Sequence, residues 1–269
     1  MRRATYTALL RLLLPAAVAR LYWRGLRAPA YGQRVAERLM RDAAGPPAAD
    51  VWLHAVSVGE VQAAQPVIRH MLQRDPPLEL LVTTTTPTGA ERLAALFQDR
   101  VAHRYTPFDL PGTVSRFLDR VRPRVAVVME TEIWPNTLAE AERRGIPVVL
   151  ANARLSERSA RGYARAQPLT RETLGRFATI AAQGESDAAR FIALGAPESR
   201  VRVTGSIKFD QGLPASLREQ AEALRRAWGA DRPAWVAAST HEGEDEPILA
   251  AHRAVRAVVP DALLVLVPR

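Results

Sequence analysis

Residues 51–60 read V-W-L-H-A-V-S-V-G-E, and this stretch decides the fold. Val51–Val56 is a short apolar run with β-branched residues, which predicts a strand buried in a parallel sheet. Gly59 interrupts the run, and helical composition follows over 61–74. Glu60 then stands at the carboxyl end of a strand, where open α/β sheets bind ligands. A carboxylate there can act as a general base, although it also complements the dipole of the helix that follows.

The same alternation of short apolar runs and helical segments continues along the chain. Strands are predicted at 51–56, 79–84, 101–105, 124–129, 146–151, 178–182 and 201–204. Helices are predicted between them at 61–74, 88–98, 111–121, 135–144, 157–175 and 185–194. Pro214–Ala230 has the composition of a linking helix, and a second series follows with strand 234–238, helix 244–258 and strand 262–267. The pattern predicts an α/β fold with two Rossmann-like, doubly wound parallel-sheet domains. We expect the second domain to be incomplete, because two strands cannot close such a sheet.

Composition limits the kinds of site that the chain can build. The 269 residues are 48% hydrophobic, which is enough for a substantial core. There is no cysteine, so disulfides and thiolate metal sites are excluded, as is typical of a cytoplasmic protein. The five histidines do not fall at metal-ligand spacing, and we therefore expect no metal.

The net charge of +9 is concentrated at the N-terminus. Residues 1–41 contain nine arginines and one acid, Glu37, whereas the rest of the chain holds 28 basic and 27 acidic residues. No basic patch with interleaved aromatic residues is present, so a nucleic-acid partner is not expected.

The segment 1–44 has the properties of a membrane anchor. Residues 4–23 are apolar apart from Arg11 and Arg20, but the uninterrupted apolar part, 12–19, is shorter than the about 20 residues that span a bilayer. Tyr22, Trp23 and the arginines after them are typical of an interfacial anchor on anionic lipid. The alternative is an ordinary first helix packed on the domain.

Polar residues follow several of the predicted strands, and these should meet at one edge of the sheet. Thr84 and Thr85 precede Pro87, where one threonine suffices for a helix cap and the others can line a cleft. Glu130 and Glu132 follow the strand at 124–129. Burying an ionised carboxylate at a sheet edge costs free energy unless the carboxylate is paired or hydrogen-bonded. These residues therefore either belong to a functional site or simply lie at the start of a helix.

Cations and hydroxyls follow the later strands. Arg154 can hold an anionic group, and Lys208 can offset charge on a leaving phosphate, although either can also be a solvated surface residue. The turn at 239–244, S-T-H-E-G-E, offers hydroxyls and backbone N–H groups at a helix start, which suits a phosphate or a sugar. The pattern G-x-G-x-x-G is absent, which argues against a nicotinamide dehydrogenase.

Seven of these stretches together resemble the 3-deoxy-D-manno-octulosonic acid (Kdo) transferase family of lipopolysaccharide synthesis. The motifs are H-A-V-S-V-G-E (54–60), T-T-T-P-T-G (84–89), M-E-T-E-I-W-P-N (129–136), N-A-R-L-S-E-R-S (152–159), G-S-I-K-F-D (205–210), A-S-T-H-E-G-E (238–244) and L-V-P-R (266–269). They occur in the family's order over essentially the whole chain.

The resemblance implies a GT-B glycosyltransferase at the cytoplasmic face of the inner membrane of a Gram-negative bacterium. Its N-terminal domain, 45–212, would bind the acceptor, the lipid A precursor lipid IVA. Residues 213–269 would be a linker helix and the start of a donor domain that binds CMP-Kdo. The family pattern implies no metal and no other cofactor. Family members continue past Arg269, so we expect this chain alone to fold its first domain but to transfer poorly or not at all.

The resemblance also implies roles for single residues. Glu60 matches the catalytic base, and Glu130 and Lys208 match positions that stabilise the transition state. The expected acceptor and cleft residues are Ser57, Gly59, Thr84, Thr85, Glu132, Asn136 and Arg154. The expected donor residues are Ser239, Thr240, His241, Glu242, Pro268 and Arg269.

Two other functions are compatible with the same residues. The chain can belong to a GT-B glycosyltransferase that uses another nucleotide sugar, because this fold hosts many donors. Alternatively, this stretch alone can be an inactive module that binds the acceptor. The number of Kdo residues added does not follow from the sequence.

Overall fold

A computed structural model describes residues 1–210 and 215–269. The chain divides into two compact units, Met1–Gln211 and Gly212–Arg269. The predicted domain boundary at 212/213, and the predicted helix start at Pro214, lie outside the described residues.

A parallel sheet forms the centre of the first unit. Its strands are β1 (Val51–His54), β2 (Leu80–Thr84), β3 (Ala102–Tyr105), β4 (Val125–Met129), β5 (Val148–Ala153), β6 (Thr179–Ala182) and β7 (Val201–Val203). Their spatial order is β3-β2-β1-β4-β5-β6-β7, and all six neighbouring pairs are parallel. The order reverses between β1 and β4, which makes this pair the switch point of a doubly wound sheet, the place where such sheets bind ligands. The fold class predicted from the alternation is confirmed.

Helices cover both faces of this sheet. They are α1 (Arg3–Gly25), α2 (Val35–Arg38), α3 (Val58–Leu72), α4 (Pro87–Phe97), α5 (Pro111–Val121), α6 (Pro135–Glu142), α7 (Glu157–Ala164), α8 (Gln167–Leu174) and α9 (Glu185–Ala193). Because side chains alternate along a strand, Trp52 packs edge-on against Phe117 of α5 on one face. Leu53 belongs to the second core cluster, on the other face, with Ile68 of α3.

Two predicted helices differ from those observed. The helix predicted at 157–175 is two helices, α7 and α8, because Pro168 fits only the first turn of a helix and starts a new one. The helix predicted at 61–74 starts earlier, at Val58, because the Ser57 hydroxyl caps it by accepting from the N–H of Glu60. Thr86 caps α4 with Pro87 in its first turn, as the sequence predicts.

The N-terminal segment forms one long helix, α1. By length and composition α1 can cross a membrane, although the uninterrupted apolar run alone is too short. Pro15 lies inside α1 without ending it. The Tyr6 hydroxyl donates to Asp109 at 2.9 Å and the Thr7 hydroxyl to the Asn136 amide oxygen at 2.9 Å, so one end of α1 is bonded to the domain.

The second unit has a smaller parallel sheet. Its described elements are α10 (Ala215–Trp228), β8 (Ala234–Thr240), α11 (Asp245–Val258) and β9 (Leu263–Pro268). β8 and β9 pair in parallel with α11 between them in the chain, which makes one βαβ unit.

Candidate active site

Glu60 lies in the first turn of α3, directly after β1. One oxygen of its carboxylate accepts a hydrogen bond from the backbone N–H of Val56 at 2.8 Å, so the side chain folds back over the strand end. Gly59, beside it, is exposed, and an added Cβ there would meet only the Ser57 hydroxyl within 4 Å. The N-terminus of α3 is therefore open to an incoming molecule at the position of the carboxylate.

Glu130 comes directly after β4, the strand that pairs with β1. Its backbone has φ of 57°, the left-handed conformation that side-chain-bearing residues rarely adopt. Its N–H donates to the carbonyl of Ala151 at 2.9 Å, which continues the β4–β5 ladder through the turn. A strained backbone at the end of a central strand is a common feature of functional sites, where the surrounding structure holds it.

The switch point brings the carboxylates of β1 and β4 into one electrostatic environment. Burial, together with the negative charges of Glu132 and Glu130, raises the pKa of Glu60 to about 7, whereas the hydrogen bond from Val56 lowers it. Burial and the charge of Glu130 also raise the pKa of Glu132. A carboxylate with its pKa near neutrality is suited to taking a proton, because it combines useful basicity with a substantial ionised fraction.

Lys208 lies at the same edge of the sheet, in a 3-10 turn at Ile207–Asp210 after β7. The turn contacts α3, and the N–H of Ile207 donates to the side-chain oxygen of Asn152 at 3.2 Å. Lys208 itself is exposed and makes no ion pair with any described residue, so its charge is available to a ligand.

Two residues predicted to contact the acceptor are buried instead. Asn136 is fully buried, and its amide bonds Thr7 and the carbonyl of Asp109, so it joins α1 to α6. Thr84 is also fully buried, and its hydroxyl lies 2.9 Å from the ring of His103. Neighbouring elements already satisfy both side chains, and their contacts with the acceptor stay predictions.

The remaining predicted cleft residues stay at the edge of the sheet. Ser57 and Thr85 are half-buried, and Arg154 is exposed. The Ser57 hydroxyl is engaged as the cap of α3, at 3.5 Å from the Glu60 nitrogen. The carbonyl of Arg154 accepts from the Thr131 hydroxyl at 2.6 Å, which ties the β4 and β5 loops together while the guanidinium stays free of ion pairs with described residues.

The predicted donor residues converge in the second unit, at the carboxyl ends of β8 and β9. Thr240 pairs with Pro268 across the strands, and Arg269 lies 3.4 Å from the ring of His241. Ser239 has φ of 62°, so this strand end is also strained. Glu242 is exposed beside it.

Thr240 is hydrogen-bonded within its own turn. Its hydroxyl is buried and donates to Asp245 at 3.0 Å, and the N–H of His241 donates to Glu244 at 2.8 Å. The carboxylates of Glu244 and Asp245, at the start of α11, thus already accept hydrogen bonds from the hydroxyl and the N–H that were expected to bind a phosphate. The contact of Thr240 with the donor stays a prediction.

Two residues that matter for the site did not stand out in the sequence. Burial raises the pKa of Tyr163 in α7, and the nearby negative charge of Glu132 raises it further. The Tyr163 hydroxyl donates to the carbonyl of Thr131 at 3.4 Å. Asn152 has φ of 53° and holds the Lys208 turn. The sequence indicated Asn152 only as part of the motif at 152–159. Asparagine adopts a positive φ more readily than most residues, so no neighbouring sequence pattern marks this conformation.

No group of three or more His, Cys, Asp or Glu side chains in residues 1–210 and 215–269 is arranged to hold a metal ion. The carboxylates at the switch point influence one another electrostatically without forming such a group.

The fold and the site define a class, an α/β protein of the GT-B type with acidic residues at its switch point. Among solved structures, the UDP-GlcNAc 2-epimerase of Neisseria meningitidis bound to UDP-GlcNAc matches with a TM-score of 0.56 at 15% identity. The match covers 80% of this chain and 64% of that chain, and it shows a shared fold.

Sequence comparison narrows the class to a family. Residues 33–211 match the family described as 3-Deoxy-D-manno-octulosonic-acid transferase (kdotransferase). The chain is 44% identical to the 3-deoxy-D-manno-octulosonic acid transferase of Haemophilus influenzae and 39% identical to that of Bordetella pertussis. In both cases all of this chain matches, and it spans 64% of the relative's length. The chain belongs to the Kdo transferase family.

Proposed function

We propose that the protein transfers Kdo from CMP-Kdo to the lipid A precursor lipid IVA, with Glu60 as general base. The observation that carries this proposal is the position of Glu60 at the β1–β4 switch point, where its pKa is raised to about 7. Membership of the Kdo transferase family supports the transferred sugar. The donor and the acceptor are those that the sequence resemblance implies.

The proposed reaction uses three residues in the roles that the family resemblance implies. Glu60 takes the proton from an acceptor hydroxyl while the hydroxyl oxygen forms a bond to the anomeric carbon of Kdo. The bond from that carbon to the CMP phosphate breaks, and its electron pair leaves with the phosphate. Glu130 stabilises positive charge that develops on the sugar, and Lys208 offsets the negative charge on the departing phosphate. No step requires a metal.

The two units take separate roles in this proposal. Residues 45–212 bind the acceptor near Glu60, with Ser57, Gly59, Thr85, Glu132 and Arg154 at the edge of the site. Residues 213–269 supply a linker helix and the first donor contacts, from Ser239, His241, Glu242, Pro268 and Arg269. Because the chain spans 64% of its curated relatives, activity belongs to the longer protein in this proposal.

Segment 1–44 holds the protein on the cytoplasmic face of the inner membrane. Leu12 and Trp23 on α1 are 76% and 62% exposed, which is the pattern of a surface that lipid covers. Arg24 stacks on the ring of Tyr31 at 3.9 Å, so a cation and aromatic rings sit together at the C-terminal end of α1. This combination suits the interface between acyl chains and anionic headgroups.

A transfer assay tests the proposal. A protein that contains this chain and extends over the full length of its relatives is incubated with lipid IVA and CMP-Kdo, and the lipid product is weighed by mass spectrometry. We expect a gain of one Kdo mass or a multiple of it, unaffected by EDTA, and inhibition by CMP but not by UDP. Inhibition by UDP instead would favour another nucleotide sugar.

A pair of variants assigns the base. Glu60→Gln keeps the size of the side chain but removes its basicity, and we expect turnover to fall at least about a hundredfold. Glu185→Gln is the matched control, because Glu185 lies in the first turn of α9 and is exposed. Equal activity of the two variants would exclude Glu60 as the base.

A further inference from the structure

An apolar cavity of about 170 Å³ lies between α1 and the loop that follows β3. Leu10, Leu14 and Ala17 form the α1 wall, and Phe108 and Trp134 belong to the opposite wall. An engineered apolar cavity of about 150 Å³ is large enough to hold a benzene-sized molecule. The cavity therefore has room for a segment of one hydrocarbon chain.

A buried cation, Arg38, is one of the residues that line this cavity. Arg38 is only 4% exposed, and its guanidinium stacks on the ring of Tyr105 at 4.3 Å. One terminal nitrogen donates to the carbonyl of Thr85 at 2.8 Å, but the Nε group has no hydrogen-bond partner in the described part of the chain. Arg38 thus places a buried positive charge beside the apolar walls of the cavity.

The cavity adjoins the proposed active site on one side and the exposed surface of α1 on the other. Thr85, which lines it, donates its N–H to the carbonyl of Val56, the residue that also bonds the Glu60 carboxylate. Leu13, which lines the opposite side, is 57% exposed. An occupant thus lies between the catalytic carboxylates and the surface that we assign to the membrane.

We propose that this cavity binds one acyl chain of the lipid acceptor, with the buried Arg38 among the residues that line it. This inference rests on the proposed function and extends it, because it makes α1 part of the substrate site as well as an anchor. Burying one methylene contributes about 0.8 kcal/mol, so each methylene lost from the buried chain should weaken acceptor binding about fourfold.

Photocrosslinking tests the occupant without requiring turnover. Lipid IVA with a diazirine in one acyl chain is irradiated with the 269-residue chain in detergent, and crosslinked peptides are mapped by mass spectrometry. We expect crosslinks on the peptides that carry Leu10–Ala17 and Phe108, suppressed by unlabelled lipid IVA. A phosphatidylglycerol with the same labelled chain should not label these peptides above background. Crosslinks only elsewhere, or equal labelling by phosphatidylglycerol, overturn the proposal.

Two neighbouring alanines of α1 provide a matched pair of variants. Ala17→Phe fills the cavity, whereas Ala16→Phe adds the same ring at an exposed position that does not line it. We expect cavity crosslinking to fall at least about tenfold in Ala17→Phe and to persist in Ala16→Phe. Equal crosslinking of both variants overturns the proposal, and if Ala17→Phe does not fold, the wild-type crosslink map decides.

The outcomes separate this inference from the proposed function. Crosslinks in the cavity with no Kdo transfer by the longer protein would leave the acyl-chain site standing and remove the reaction. Transfer with no crosslinks in the cavity would retain the reaction and overturn the acyl-chain site.

Discussion

Glu132 and Glu60 are coupled electrostatically at the junction of β1 and β4: the charge of Glu132 raises the pKa of Glu60 beyond the effect of burial. The two residues are far apart in the chain and meet because β1 and β4 are neighbours in the sheet. The hydrogen bond from Val56 acts against this shift, since it stabilises the ionised carboxylate. The balance leaves the pKa of Glu60 at about 7.

The pH dependence of transfer should report this coupling. We expect kcat/KM to rise with pH through about 7 as Glu60 loses its proton. Glu132→Gln removes a nearby negative charge, so it should move this rise to lower pH. Glu185→Gln, at an exposed position, should leave the profile unchanged. A profile that does not move in Glu132→Gln would contradict the coupling.

Stability should depend on pH through the same group. The folded-state pKa of Glu60 is about 7 against an ordinary value of 4.5, so the folded protein holds this proton more tightly than the unfolded chain. Its contribution to stability is complete below pH 4.5 and is lost as the pH rises through about 7. Glu60→Gln should therefore gain stability relative to wild type across this window. Chemical denaturation of both proteins at several pH values measures the difference in their free energies of unfolding. A difference that stays constant with pH would refute this prediction.

The backbone of Glu130 gives a prediction that separates strain from charge. Glu130→Gly and Glu130→Ala both remove the carboxylate, so both should slow transfer. Only glycine relieves the left-handed φ of 57°, and Glu130→Gly should be more stable than Glu130→Ala by about 1 kcal/mol. Equilibrium denaturation checks the order, and the opposite order would show that the turn carries no strain.

The hydrogen bond between Tyr6 and Asp109 should stabilise the attachment of α1. Tyr6→Phe removes only the hydroxyl that donates to the buried carboxylate, and the cost should be about 1–2 kcal/mol of unfolding free energy. Tyr22→Phe makes the same chemical change at a residue that is 57% exposed and should cost almost nothing. Chemical denaturation of both variants in one detergent compares their free energies of unfolding. Equal free energies would mean that apolar packing holds this end of α1.

Membrane binding should depend on where arginine is removed. Replacement by Gln of three arginines near the C-terminal end of α1 should weaken binding to anionic vesicles by about 3 kcal/mol, roughly a hundredfold. These are Arg20, Arg24 and Arg27. The same change at three exposed arginines elsewhere in the first unit, Arg69, Arg74 and Arg100, serves as the control. Vesicle cosedimentation measures binding, and added salt should reduce the difference. If both triple variants lose the same amount of vesicle binding, net charge alone accounts for the binding.

Several features of this protein follow from the sequence by itself. The period of apolar runs and helical segments determined the parallel α/β architecture, because a strand buried on both faces must be apolar throughout. The strand–turn–helix at 51–60 placed Glu60 at the carboxyl edge, since all strands of a parallel sheet end at the same edge and Glu60 follows the end of its strand. Thr86 before Pro87 determined a helix start through local capping alone.

Only the tertiary structure decided which polar side chains share the site. The order β3-β2-β1-β4 sets Glu60 beside Glu130 and Glu132, and no local pattern encodes that neighbourhood. Thr84 and Asn136 are buried, because the partners that satisfy them, His103 and Thr7, come from distant elements. Local chemistry fixes a residue's conformation, whereas its solvation and its charged neighbours depend on long-range packing, and these set its pKa and its role.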